Sequence, residues 1–213
     1  MNKILFLETQ ATGIDSSRCA IYKMAGIFCE ETITGLKETK RFDYYVCPFE
    51  RARVEDKALW LGGVTRSELS MYQSEAEVFK SFIDLLDEIV NVRDPKDKIY
   101  ICSFSASSYD VPFLKNFFLR NGSQRFRDYF YIQTLDLMCL AAFALIYERE
   151  GMPDFHLETT AKFLDVAPQH TRSYDTMVNA ETCLEIFKSL KLRLKQGENL
   201  YHEKTTDVIK NHK

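Results

Sequence analysis

Five polar residues, at three places along the chain, have side chains suited to joint chemistry. Glu8 and Gln10 end a short apolar run, Asp110 follows a second apolar run and a serine-rich loop, and Asp175 follows His170 by five residues. Converging carboxylates repel one another unless a cation neutralises them, and Mg²⁺ prefers such oxygen ligands. Two such ions can support phosphodiester hydrolysis, with a loop histidine as general base.

Each of these residues also has an ordinary structural explanation. An aspartate at a helix start, such as Asp110 or Asp175, commonly caps the helix or interacts with its dipole. A lone histidine in a loop, such as His170, is usually solvated or structural. Glu8 to Gln10 on their own are also compatible with an ordinary strand that ends in a turn. Spacing alone therefore does not decide between a structural role and a catalytic one.

The elements that must position these residues follow from hydrophobic periodicity and turn residues. Strands are predicted at 3–9, 19–29, 41–46, 98–104 and 129–134. Helices are predicted from a capping box of Ser74 and Glu77, and at 110–121, 135–150, 157–164 and 174–195. Three strands come first and strands then alternate with helices. This order predicts an α/β fold whose mixed central sheet has three antiparallel strands, then parallel strands, flanked by helices.

Composition limits the class of protein. The length of 213 residues suits one domain at 1–195, followed by a polar tail at 196–213. The net charge of −3 means that the chain has no overall positive charge of the kind that attracts nucleic acids. Six cysteines occur without a Cys-x-x-Cys pair, as is typical of reduced thiols in a cytoplasmic protein. No segment approaches the length of a membrane span, so we expect no membrane partner.

Taken together, the three places resemble the motifs of the DEDDh family, the DnaQ-like 3′–5′ exonucleases that include the proofreading subunit of bacterial replicative DNA polymerase. The first family motif reads Asp-x-Glu-Thr-Thr-Gly, and "ETQATG" here has Glu8 for the aspartate and Gln10 for the glutamate. "SASSYDVPFL" resembles the second motif and supplies Asp110. "HTRSYD" resembles the third, with His170 and Asp175.

The resemblance implies a ribonuclease-H-like fold, a set of site residues and a substrate. Positions 8, 10, 110 and 175 would hold two Mg²⁺ or Mn²⁺ ions, and His170 would activate the attacking water. The substrate would be the 3′ end of a single-stranded DNA or RNA, and a polymerase or another protein is a candidate partner. The residues expected to contact substrate are Thr9, Thr12, Gly13, Phe104 and Tyr109, of which the last two offer rings for base stacking.

The chain departs from the family pattern in its first two motifs. Glu8 is one methylene longer than aspartate, and Gln10 keeps an oxygen ligand but loses the charge, which puts the second metal site in doubt. Ser105 and Ala106 replace the His-Asn pair of the second motif. Compensation by Asp15 or Asp136 is an alternative.

Three functions remain open on the sequence alone. The first is an active metal-dependent 3′–5′ exonuclease with weakened metal binding. The second is a catalytically impaired relative that binds nucleic acid or a protein. The third is an unrelated structural or adaptor domain, which would require that positions 8, 110 and 175 do not converge.

Overall fold

A six-stranded mixed sheet forms the centre of the chain. The computed structural model describes residues 2–166 and 175–210, with only the backbone of 196–210. The strands are β1 (Lys3–Ala11), β2 (Ile21–Thr32), β3 (Gly35–Cys47), β4 (Gln73–Ser74), β5 (Ile99–Ser103) and β6 (Leu135–Asp136). Their spatial order is β4-β3-β2-β1-β5-β6. The β1–β2 and β2–β3 pairs are antiparallel, whereas β1–β5 and β5–β6 are parallel, so the predicted mixed sheet is confirmed.

Helices cover both faces of this sheet. They are α1 (Asp56–Gly62), α2 (Arg66–Leu69), α3 (Glu75–Ile89), α4 (Val111–Arg120), α5 (Phe126–Tyr129), α6 (Leu137–Ala144), α7 (Leu157–Phe163) and α8 (Thr176–Lys210). A π-helical turn, Ala106–Asp110, leads into α4, and a 3₁₀ segment, Ile146–Gly151, follows α6. No helix in the described ranges combines the length and the apolar character that a membrane crossing requires.

Strand β1 is shared by two apolar cores because its side chains alternate between the two faces of the sheet. Leu5 and Leu7 pack into the core beneath α3 and α4. Ile4 and Phe6 pack into the core beneath α6, α7 and α8. Glu8 continues the second set, so its carboxylate leaves the sheet on the α8 face.

Strand β2 contains an irregularity that matters for the site. Gln10 pairs with Lys23, but the next residue, Ala11, pairs with Ile21, so Tyr22 is an extra residue on the β2 side. Such a bulge turns the side chains before and after it toward different faces. Tyr22 is buried, and its hydroxyl lies against Gly62 at the end of α1, where a Cβ would come within 1.8 Å of it.

Some predicted elements differ from the structure. The capping box of Ser74 and Glu77 at the start of α3 is confirmed. The strand predicted at 129–134 is wrong, because α5 and an isolated bridge at Phe130 occupy its first residues and β6 lies further along. The helix predicted at 135–150 ends at Ala144 and gives way to the 3₁₀ segment. Helix α8 continues past 195 to Lys210, into the segment expected to be a tail.

Candidate active site

Asp110 and Glu8 converge at the carboxyl ends of two adjacent parallel strands. Asp110 ends the π-helical turn that follows β5, and its side chain is 1% exposed. Its Oδ1 accepts hydrogen bonds from the Thr9 backbone N–H (3.0 Å) and the Thr9 hydroxyl (2.8 Å), and its Oδ2 accepts one from the Ser103 hydroxyl (2.7 Å). The strands β1 and β5 therefore hold this carboxylate from both sides.

Glu8 lies beside Asp110 in a half-buried position. Its Oε1 accepts a hydrogen bond from the Cys183 thiol of α8 at 3.2 Å, and the Phe104 backbone bonds the same carboxylate. Burial, and next the negative charge of Asp110, hold the pKa of Glu8 well above its ordinary value. Glu8 thus sits between another carboxylate and thiols rather than beside a positive charge.

The pKa of Asp110 is also raised, to about 6. Burial is the main cause, and the bonds from Ser103 and Thr9 oppose it. Within the described residues neither Glu8 nor Asp110 forms a salt bridge. The two carboxylates, one half-buried and one buried, therefore form a pair without a cationic partner among the described residues, which is the arrangement that a divalent cation stabilises.

Asp175 lies elsewhere on the same face of the sheet and is bound by the protein itself. Its Oδ1 accepts hydrogen bonds from the backbone N–H groups of Met177 (3.0 Å) and Val178 (3.3 Å) at the start of α8. The Lys23 ammonium lies 3.8 Å from the same oxygen and 3.9 Å from Asp43 Oδ2. The capping role that the sequence left open for Asp175 is thus present.

The donor set fits one divalent cation better than two. Among the side chains that the structure describes, those of residues 2–166 and 175–195, no group of three or more histidines, cysteines, aspartates or glutamates is placed to hold a metal ion. Mg²⁺ is nevertheless often bound by one or two carboxylates, with waters and substrate phosphates completing the octahedron. Glu8 and Asp110 supply such a pair, whereas one oxygen of Asp175 already accepts two N–H bonds from α8 and lies 3.8 Å from the Lys23 ammonium.

The remaining predicted metal and base residues have these positions. Gln10 lies opposite Lys23 on the adjacent strand and forms part of the pocket wall described next. His170 lies outside the described residues. Asp136 caps α6 and accepts bonds from the Ser107 backbone N–H and hydroxyl, and Asp15 bonds Ser17 in its own loop. The structure thus gives Asp136 and Asp15 local structural partners.

A pocket of about 190 Å³ opens beside the end of β1. Three of the five residues predicted to contact substrate line it, namely Thr9, Gly13 and Tyr109. Thr12 is fully buried, and its hydroxyl donates to the Arg53 carbonyl and accepts from the Ala20 N–H. Phe104 packs against the core beneath α8. Their predicted contact with substrate stays a prediction.

Sequence reasoning missed two features of this region. Helix α1 lies in a stretch for which no helix or strand was predicted, yet its Ala58, Leu61 and Gly62 form one wall of the pocket. Its Trp60 is 77% exposed on the outer face. The second feature is the buried Lys23, which is only 8% exposed. The sequence feature that could have indicated it is a single lysine within an otherwise buried strand.

Comparison with solved structures identifies the fold. E. coli exonuclease I in complex with a dT13 oligonucleotide superposes with a TM-score of 0.72 at 19% identity, covering 94% of this chain and 43% of that one. The zinc-bound form of an E. coli exonuclease I–single-stranded DNA complex gives 0.72 at 19% identity over 92% and 42%. A product-bound exonuclease I structure gives 0.70 at 19% identity over 92% and 45%.

These matches confirm the expected ribonuclease-H-like exonuclease fold. The chain spans less than half the length of the exonuclease I chains that it matches. No family model matches the sequence, and no curated protein matches it.

Proposed function

We propose that this chain is a metal-dependent exonuclease that removes nucleotides from the 3′ end of single-stranded DNA or RNA. The observation that carries the proposal is the convergence of Glu8 and Asp110 at the carboxyl ends of β1 and β5. Glu8 is half-buried, Asp110 is buried, and neither carboxylate has a cationic partner among the described residues. In open α/β sheets, ligands bind at the carboxyl ends of the strands. The exonuclease I fold and the resemblance of the three motifs support the reaction and its direction.

The residues of the chain have distinct parts in this proposal. Glu8 and Asp110 would bind Mg²⁺ or Mn²⁺, which when bound would supply charge neutralisation at the phosphate and a more acidic water. Thr9 and Ser103 fix the orientation of Asp110 by their hydrogen bonds. His170 is the proposed general base, on the strength of the third motif. The pocket beside Thr9 and Tyr109 would take the terminal nucleotide.

A direct assay tests this proposal. A 5′-labelled single strand incubated with the full chain and Mn²⁺ or Mg²⁺ should shorten progressively from its 3′ end, and EDTA should stop the reaction. A strand blocked by a 3′-phosphate serves as the control for direction. Intact substrate with either ion at high protein concentration would contradict the proposal.

The second candidate function is a binding module without catalysis. The contact of Asp175 with Lys23 favours it, because that carboxylate then offers less to a metal. This function predicts that single-stranded nucleic acid still binds and that EDTA changes neither binding nor the length of the strand. The same assay, combined with a binding titration, separates the two.

Trp60 provides a test of the path that a bound nucleic-acid strand takes over the protein. Its ring is exposed on the helix that walls the pocket, and base stacking on an aromatic ring contributes about 1–3 kcal/mol per base. We expect Trp60→Ala to weaken binding of a labelled oligothymidine by about tenfold or more in fluorescence anisotropy, with an unchanged melting temperature. Tyr147→Ala is the matched control, because Tyr147 is 98% exposed but belongs to the 3₁₀ segment. Equal losses from both substitutions would argue against a strand path over α1.

A further inference from the structure

Lys23 is a lysine held almost entirely inside the protein. Its side chain is 11% exposed, and lysine is seldom buried unless it is paired. The ammonium faces Asp43 of β3 at 3.9 Å, Asp175 at 3.8 Å and the ring of Tyr45, whose centroid is 4.9 Å away. Two groups of β3 and the carboxylate that precedes α8 therefore surround one positive charge.

The position of Lys23 links it to the predicted metal ligands. In the β1–β2 pair it stands directly opposite Gln10, and residues directly opposite in an antiparallel pair project from the same face. Gln10 and Asp175 are two of the four positions expected to hold metal. Lys23 is thus paired with Gln10 in the strand register, and its ammonium lies 3.8 Å from Asp175.

The two sides of the site differ in how much negative charge is left for a metal ion. On one side, the carboxylates of Glu8 and Asp110 have no cationic partner among the described residues, and one divalent ion would neutralise them. On the other side, Lys23 offsets one of the two negative charges of Asp175 and Asp43, so these three groups keep half the net negative charge of the Glu8–Asp110 pair. A neutral amide at position 10 adds no negative charge that would attract a second divalent ion.

We infer that Lys23 takes the place of a second metal ion, so that this site holds a single divalent cation between Glu8 and Asp110. The inference rests on the proposed function for the identity of the site and deepens it by setting the metal stoichiometry. It also explains why a glutamine is compatible with position 10: the neighbouring positive charge is fixed in the protein and needs no carboxylate ligand.

Titration calorimetry with Mn²⁺ on the full chain tests this inference without relying on activity. The wild type and Gln10→Glu should each bind about one ion. The double variant Lys23→Met with Gln10→Glu frees Asp175 and restores a carboxylate, so it should bind about two. Lys40→Met with Gln10→Glu is the matched control and should stay at one, because Lys40 pairs with Glu88 at an exposed site. Thermal melts establish that each variant is folded.

The outcomes distinguish the inference from the proposed function. A wild type that binds two ions and digests a strand would overturn the inference and leave the exonuclease proposal standing. Two ions bound by Gln10→Glu alone would also overturn it, even if the Lys23 variants fail to fold. A folded double variant that still binds one ion would show that Lys23 does not exclude the second ion. No ion bound and no digestion by the wild type would instead remove the proposed function.

Discussion

Asp110→Asn should sharply slow metal-dependent cleavage while making the metal-free protein no less stable. The amide still accepts the bonds from Thr9 through its oxygen, and its NH₂ group can donate to the Ser103 oxygen. The change removes a charge that is buried and repelled by Glu8. Loss of one of two metal-binding carboxylates should lower the rate of digestion by about a hundredfold or more, since even a 1 Å misplacement costs about that much.

The measurement pairs initial rates of strand shortening with thermal melts in EDTA at neutral pH. Asp136→Asn is the matched control, because Asp136 is also a nearly buried aspartate after a strand, bonded by a serine. An amide has a single acceptor oxygen, so Asp136→Asn cannot keep both the Cys139 N–H bond that caps α6 and the Ser107 N–H bond. It should show the opposite pattern: activity close to that of the wild type, and a loss of about 1–3 kcal/mol in stability. An Asp110→Asn protein that digests normally would exclude Asp110 from the site.

The second large effect is a dependence of metal-free stability on pH. The pKa of Asp110 rises from 3.8 to about 6 on folding, so the folded chain binds this proton more tightly than the unfolded chain. Its contribution is therefore fully present below pH 3.8 and is lost as the pH rises to about 6. At about 1.36 kcal/mol per pKa unit, the loss is about 3 kcal/mol as an upper bound. Glu8, whose pKa is also raised, acts in the same direction.

Comparison with Asp110→Asn isolates this effect from the other titrating groups. In EDTA, the free energy of unfolding of the wild type, relative to that of the variant, should fall between about pH 4 and pH 6. At pH 7.5, Mn²⁺ at about a hundred times its dissociation constant should restore about 2.7 kcal/mol to the wild type and much less to the variant. A difference that stays flat with pH and with Mn²⁺ would mean that the two carboxylates are not an uncompensated pair.

The sequence predicted those features of the fold that depend on local signals. The capping box of Ser74 and Glu77 lies within four residues, and the alternation of apolar residues in β1 is visible in the chain itself. The place of β6 depends on pairing with β5, which no local pattern encodes. Helix α1 is short and begins with charged residues, so its single buried leucine, Leu59, gave no helical periodicity.

The site was predictable in part for the same reason. Glu8 lies in the last four residues of β1 and Asp110 ends the turn that follows β5, so their convergence follows from the parallel pairing of these two strands. The pairing of Asp175 with Lys23 was not predictable, because it joins residues 152 positions apart through a strand register that contains a bulge. A buried ammonium is recognised only once the burial of its strand is known.

The extra residue Tyr22 decides which face of the sheet receives a charge. Residues two apart in a strand normally share a face, yet Ile21 packs in the core beneath α3 and α4 while Lys23 faces Asp43 and Asp175. In a strand without this insertion, one of the two would be misplaced: an ammonium in hydrocarbon or an isoleucine among carboxylates. Deletion of one residue at this bulge would therefore exchange the faces of Ile21 and Lys23 and remove the ammonium from the carboxylates of the site.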